Sequence, residues 1–295
     1  MRLLLTALLS CALASAADKN AAERLGYPAD AKLLIIHADD LAVSHAVDRA
    51  SFAALDSGAA TSASIMVPCP WLTEVAAYAK AHPDADLGLH LTLTSEWKTY
   101  RWGPAATGHD LSSLLDPDGY FWPGAAPVLK SAKPEEVEVE IRGQIDRALK
   151  VGIRPTHVDS HMGTVLAPRL LAIYVKLAHE YGIPFLATRS SALAETDIIP
   201  DAIVIAGATA KPDGWTEWYV HQLQSLKPGL TELIVHLGCD DAELQAIMGN
   251  VAFGSAWRQR DFDAITSPEF KKALEQNHIT LVGWKQIKAA LQSKQ

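Results

Sequence analysis

The stretch KLLIIHADDLAVSH (residues 32–45) runs from an aliphatic segment straight into His37, Asp39 and Asp40. Two adjacent carboxylates at the exit of an apolar run repel each other and are costly to take out of water. Either something nearby neutralises them, or one of them does chemistry. Similar residues close other apolar runs: His90 in GLHLTLT, His157, Asp159 and His161 in THVDSH, and His236 in ELIVHLG. Each has a plain reading alone. A histidine in a strand is usually a satisfied core or edge residue, Asp39 and Asp40 could cap a helix starting near Ser44, and Asp159 could belong to a turn. Five histidines and three aspartates, all at the ends of apolar runs, point instead to one shared site. Carboxylate plus imidazole suits a divalent cation: zinc, manganese, cobalt, nickel or magnesium. Three protein ligands leave positions open for water, and of two neighbouring aspartates one can bind the ion while the other serves as general base.

The elements that would position these groups are readable as short apolar runs alternating with amphipathic stretches. Strands are expected at 33–37, 62–67, 87–93, 156–159, 184–188, 202–206, 232–237 and 279–284, mostly unalternated, as for strands buried on both faces. The clearest helix is PEEVEVEIRGQIDRALK (134–150), with Pro134 in its first turn, Glu135 and Glu136 at the positive end of its dipole, and Ile141, Ile145, Ala148 and Leu149 on one face. About eight strand–helix alternations predict an α/β fold, a β/α barrel or something close to it, with a doubly wound open sheet as the alternative. Both fold types build sites at the C-terminal ends of their strands. No linker is visible, so residues 17–295 read as one domain. Residues 95–133 interrupt the pattern with a segment rich in Gly, Pro and aromatics, of a length that is usually functional.

MRLLLTALLSCALASA (1–16) has the positive start, apolar middle and small-residue end of a secretory leader, and its apolar run is too short to span a membrane. The expectation is a secreted or periplasmic protein, with a lipoprotein anchored through Cys11 as a minority alternative. The formal net charge is −8, and losing the leader removes one arginine and makes it −9. With no basic run, this acidity argues against a nucleic-acid partner. Cys69 and Cys239 could pair in an oxidising compartment or stay as buried thiols.

The ordered set HADD, GLHLTLT, PTHVDSH, VHLG and the C-terminal ITLVGW resembles the YdjC-like carbohydrate deacetylases, which include chitooligosaccharide deacetylases. The resemblance extends over most of the chain after the leader. It implies a distorted, TIM-like β/α barrel and metal-dependent removal of acetyl groups from N-acetylated sugars. It also implies roles: Asp40, His90 and His161 as metal ligands, Asp39 as general base, and His236 as the acid. His37, His157 and Asp159 would stand behind the ligands, with His157 and Asp159 orienting His161 or the substrate. The chain departs from the family pattern at His37 (usually Asn), at Gly163 (usually His) and at Leu237 (usually Pro). The changes at 37 and 163 are expected to alter the rim of the site.

The reading is a metal-dependent hydrolase acting on acetylated saccharides, its oxyanion held by the ion and by backbone N–H groups near Ala42 to Ser44. A glycosidase using Asp39 with a second carboxylate leaves the histidines unexplained. A catalytically silent carbohydrate- or metal-binding protein is the non-enzymatic rival. Trp97, Trp102 and Trp122 of the aromatic insertion either form its own small core or contact substrate. The expectation is that at least one lines the cleft and that the substrate is longer than one sugar.

Overall fold

The computed structural model describes residues 19–207 and 210–293; the expected leader, with Cys11, lies outside them. Among the described residues seven parallel strands form one curled sheet: β1 Lys32–Leu41, β2 Ser62–Ile65, β3 Leu87–Leu91, β4 Val158–Ser160, β5 Ala202–Ile205, β6 Gly229–Val235 and β7 Ile279–Leu281. The order is β4-β3-β2-β1-β6-β5. β1 pairs with β6 from Lys32 to Ala38; its other edge is shared, with β7 beside Lys32–Leu34 and β2 beside His37–Leu41. Helices lie between successive strands, giving the expected α/β architecture as a distorted, half-closed barrel.

Most expected strands recur with ends shifted by up to three residues, and two expectations change more. Residues 184–188 make only an isolated bridge, Phe185 to Val158, instead of a strand. β1 runs four residues beyond His37 and carries both aspartates within it. The helix expected at 134–150 spans Pro134–Lys150, and Ile141, Ile145 and Ala148 are buried on it; Leu149 instead faces solvent.

Strand periodicity sorts the side chains. On β1, Leu34, Ile36 and Ala38 pack with the helices in the larger core. Leu33 and Ile35 point into the curl, where they meet Leu230, Ile234, Val282 and Trp284. His37 and Asp39 continue that inward row. The interior therefore changes from apolar at the strand starts to polar at their ends.

The insertion 95–133 is ordered, with a 3-10 turn at Ser112–Leu114 and a helix at Ala125–Ser131. A buried pair on the 134–150 helix holds it. Glu140 accepts from the Ala105 and Ala106 N–H groups at 2.9 and 3.0 Å, and Gln144 bonds both backbone groups of Thr92, just past β3. No helix among the described residues is long and apolar enough to cross a membrane. Cys69 and Cys239 are unpaired, Cys69 buried and Cys239 partly exposed.

Candidate active site

Successive strand residues normally face opposite ways, yet Asp39 and Asp40 both reach the same imidazole. A β-bulge explains it. The β1–β2 register shifts between Ala38 and Leu41, and Asp40 adopts φ 74°. A left-handed residue inside a strand turns its side chain out of the alternation. Asp39 Oδ2 and Asp40 Oδ1 consequently lie 3.7 and 3.4 Å from His90 Nε2. His161 Nδ1 is also 3.4 Å from Asp40 Oδ1. Immediately after His161, Met162 and Gly163 take φ 53° and 64° and swing the chain away, leaving Met162 exposed.

Asp40 Oδ1, His90 Nε2 and His161 Nδ1 form one compact donor group. Distances of 3.4 Å are long for hydrogen bonds, and Asp40 Oδ1 is buried with no hydrogen-bond partner. They match the edge of a tetrahedron whose centre lies about 2.1 Å from each corner, a usual zinc–ligand length. The donors thus fit a divalent cation. Charge agrees: Asp39, Asp40, Asp159 and Glu96 gather here against the guanidinium of Arg258.

Each imidazole is oriented from behind by a carboxylate, as metal-binding histidines commonly are. Asp159, the register partner of His90, takes His90 Nδ1 at 2.6 Å. Glu96, the second residue of the insertion, meets His161 Nε2 at 3.0 Å. The expected partner is corrected here: Asp159 serves His90, and Glu96, which the sequence reading missed, serves His161. Burial pulls the His161 pKa down, but the Glu96 and Asp40 charges override it and push it up to about 10. Burial likewise opposes ionisation of Asp40, but Arg258, 2.6 Å from Oδ2, leads the influences that hold its carboxyl well below the usual range. The same anionic surroundings that hold a proton on His161 favour a cation in its place.

Arg258 is a second residue the sequence did not single out. It comes from the helix Ser255–Thr266, and Gly238 admits that helix: a Cβ there would lie 3.0 Å from Arg258 Cβ and 2.7 Å from Leu244. Three residues on, Asp261 accepts the His236 backbone N–H at 2.9 Å, so one helix steadies both Asp40 and His236. His236 Nε2 is 3.8 Å from Asp39 Oδ2, and its side chain is 27% exposed against 8% or less for Asp39, Asp40, His90 and His161, which leaves it in reach of solvent protons.

His37 is fully buried beneath the carboxylates, a correction to the expectation that it shapes the rim. Its Nε2 lies 2.8 Å from Asp159 Oδ2 and 3.1 Å from Asp39 Oδ1, and its Nδ1 lies 2.7 Å from Ser62 Oγ. Burial pulls its pKa down, yet Asp159 and Asp39 together raise it well above the ordinary value. With Asp39 Oδ1 so engaged, Oδ2 is the oxygen turned toward His90 and His236. His157 orients neither His161 nor a substrate. It stacks on Trp284 at 4.9 Å, and Gly88 gives it room, since a Cβ there would sit 2.4 Å from the ring. Burial, then the His37 charge, hold its pKa well below the usual value. Two of the three backbone N–H groups expected to hold an oxyanion are engaged: Ala42 donates to Asp48 Oδ1 at 2.6 Å and Val43 to Asp40 O at 3.3 Å. Ser44, not an aspartate of the pair, caps the next helix.

Trp97 and Trp102 are buried and pack edge-to-face at 5.5 Å. Trp102 lies 6.4 Å from the His161 ring, and the Arg258 guanidinium is 6.0 Å from Trp97, so both stand beside the donor group. Trp122 is half-buried, its Nε1 enclosed without a partner.

Known proteins resemble this chain. A family model described as YdjC-like protein matches residues 33–276. A carbohydrate deacetylase of Thermus thermophilus is 33% identical over 287 residues, covering 91% of this chain and 98% of that one. A chitooligosaccharide deacetylase of Yersinia enterocolitica is 25% identical over 250 residues, 83% of this chain and 95% of its own. A crystal structure from Enterococcus faecalis, provisionally described as a cellobiose-phosphate cleavage protein, superposes with a TM-score of 0.75 at 28% identity, covering 86% of this chain and 98% of that one.

Proposed function

The chain belongs to the YdjC-like family, and from that premise we propose that it is a metal-dependent carbohydrate deacetylase whose working groups are Asp39, Asp40, His90, His161 and His236. The observation that carries the reading is the buried, partnerless Asp40 Oδ1 set 3.4 Å from two imidazole nitrogens, beside a second carboxylate whose Oδ2 is turned toward His90 and His236. Asp40, His90 and His161 hold the ion. A divalent ion held there supplies Lewis acidity, which polarises an acyl carbonyl and makes water easier to deprotonate. Asp39 is the general base, working through Oδ2 while His37 and Ser64 engage Oδ1. His236 protonates the departing amine, which is otherwise a poor leaving group, and recovers its proton from solvent. Trp97 and Trp102 exclude water beside the acetyl group. The substrate is an N-acetylated saccharide, and the leader-like residues 1–16 support an enzyme that meets it outside the cytoplasm.

The test is acetate release from N-acetylated oligosaccharides, with matched amide and ester controls, before and after chelation and after adding back zinc, manganese, cobalt, nickel or magnesium. Chelation is expected to abolish release and one of these ions to restore it. Cleavage of the glycosidic bond without acetate, or full activity in chelator, would overturn the reading.

A further inference from the structure

Trp97 and Trp102, the rings of the 95–133 insertion seen beside the donor group, are 6% and 3% exposed, so neither offers a free face to a sugar beyond the acetylated one. The most exposed aromatic ring among the described residues lies elsewhere, just before the helix Ser255–Thr266. The helix Ser255–Thr266 runs against the strand direction: Asp261 is level with the His236 backbone, at the end of β6, and Arg258 is one turn higher, on Asp40. The residues preceding the helix therefore lie toward the C-terminal ends of the strands, the end of the sheet that carries the donor group. Phe253, two residues before the helix, is 56% exposed, and Val251, four residues before it, is 50% exposed.

A single exposed apolar residue needs no explanation. Phe253 differs in how it is held. Its ring packs at 4.4 Å on Trp257, which meets Trp215 edge-to-face at 4.5 Å; both indoles are buried. Trp215 Nε1 donates at 2.8 Å to Asp261, the residue that also fixes His236. The exposed face is thus braced by the framework that positions the proposed acid. Met162, 50% exposed and next to His161, adds a further apolar surface. A polar centre with exposed apolar surfaces at the same end of the sheet suits a pyranose chain, whose hydroxyl edges want hydrogen bonds and whose C–H faces pack on rings.

We propose that Phe253, braced by Trp257 and Trp215, is a stacking platform for a sugar unit next to the acetylated one. The proposal rests on the saccharide reading above and names where selectivity for chain length resides. A ring face of this size corresponds to roughly a 5- to 10-fold change in affinity.

The experiment measures binding apart from turnover. Zinc-loaded Asp39→Asn protein, in which turnover is expected to be slowed about 10²-fold or more, is titrated calorimetrically with N-acetylglucosamine and with its β-1,4-linked tetramer. Phe253→Ala and Phe253→Trp are added to the same background. The alanine variant is expected to weaken tetramer binding by roughly 5- to 10-fold while changing monomer binding by less than about 2-fold, and tryptophan to restore it. Equal tetramer affinity with and without the ring, an equal loss for monomer and tetramer, or no saccharide binding by the Asp39→Asn background would each overturn the platform. Acetate release by the wild type is scored separately. Its absence alongside ring-dependent tetramer binding would remove deacetylation and leave the platform standing.

Discussion

Asp39 and Asp40 have the same side chain and adjacent positions, but their surroundings divide their work. Asp40 is locked between Arg258 and two imidazoles; Asp39 has one oxygen engaged and one turned toward His90 and His236. Asp40→Ala is therefore expected to lower metal content and activity together, measured by elemental analysis of the purified protein. Asp39→Asn should keep the ion and the fold while cutting kcat by about 10²-fold or more, as for loss of a general base. A stoichiometric ion in Asp40→Ala, or near-normal turnover in loaded Asp39→Asn, would reassign them. The residues legible in the sequence were those standing at strand ends, where an imidazole or carboxylate after an aliphatic run is conspicuous. Glu96, Arg258 and Asp261 were not legible. They come from an insertion and from a polar helix, SAWRQRDFDAIT, where one charged residue looks like the next until packing brings it to the site. His37 and His157 stood out by type, but only the alternation of inward and outward faces, read across neighbouring strands, shows that they lie under the site.

At the scale of elements, the expected strand runs were right where a segment has ladder partners and wrong where it lacks them. Residues 184–188 are as apolar as their neighbours. They begin with Pro184, which has no N–H to donate, and β5 pairs with β6 instead of closing onto them, so a single bridge to β4 is what remains. The bulge in β1 was equally hidden, since nothing local marks Asp40 for a left-handed backbone. The 95–133 insertion depends on the helix beneath it, chiefly through Glu140. Glu140→Ala would leave the Ala105 and Ala106 N–H groups and part of the Gln144 amide without partners, at a cost of about 2–4 kcal/mol. The variant should unfold at lower denaturant concentration and be nicked by protease within 95–133 well before the rest of the chain. Because Glu96 opens that insertion and orients His161, metal affinity should fall with it. Cleavage at the wild-type rate would mean that the insertion is held by its aromatic core alone.

The whole molecule buries carboxylates under its site, and that has a consequence for stability. Glu232 lies on β6 opposite Ile35, inside the curl and one layer below His37. Its Oε1 accepts from Trp284 Nε1 at 3.1 Å, and its Oε2 is buried without a partner. Burial, the largest influence, together with Asp159 and Asp39 pushes its pKa up to about 8, although His37 opposes them. In the unfolded chain it titrates near the ordinary value of 4.5. Between these values the native state holds a proton that the unfolded state has lost. The contribution of Glu232 to stability is therefore whole below about pH 4.5 and is lost progressively as pH rises toward 8. Glu232→Gln removes this titration and keeps an oxygen for Trp284. Denaturant unfolding of the two proteins at about pH 5, 7 and 9 should give nearly equal stabilities at the lowest pH, with the variant ahead by on the order of 1–3 kcal/mol at the highest. Groups that titrate alike in both proteins cancel in the difference, so its slope reports Glu232. Stability curves that run parallel across that whole range would show that the native carboxyl is already ionised at low pH, compensated by His37 more fully than its burial suggests.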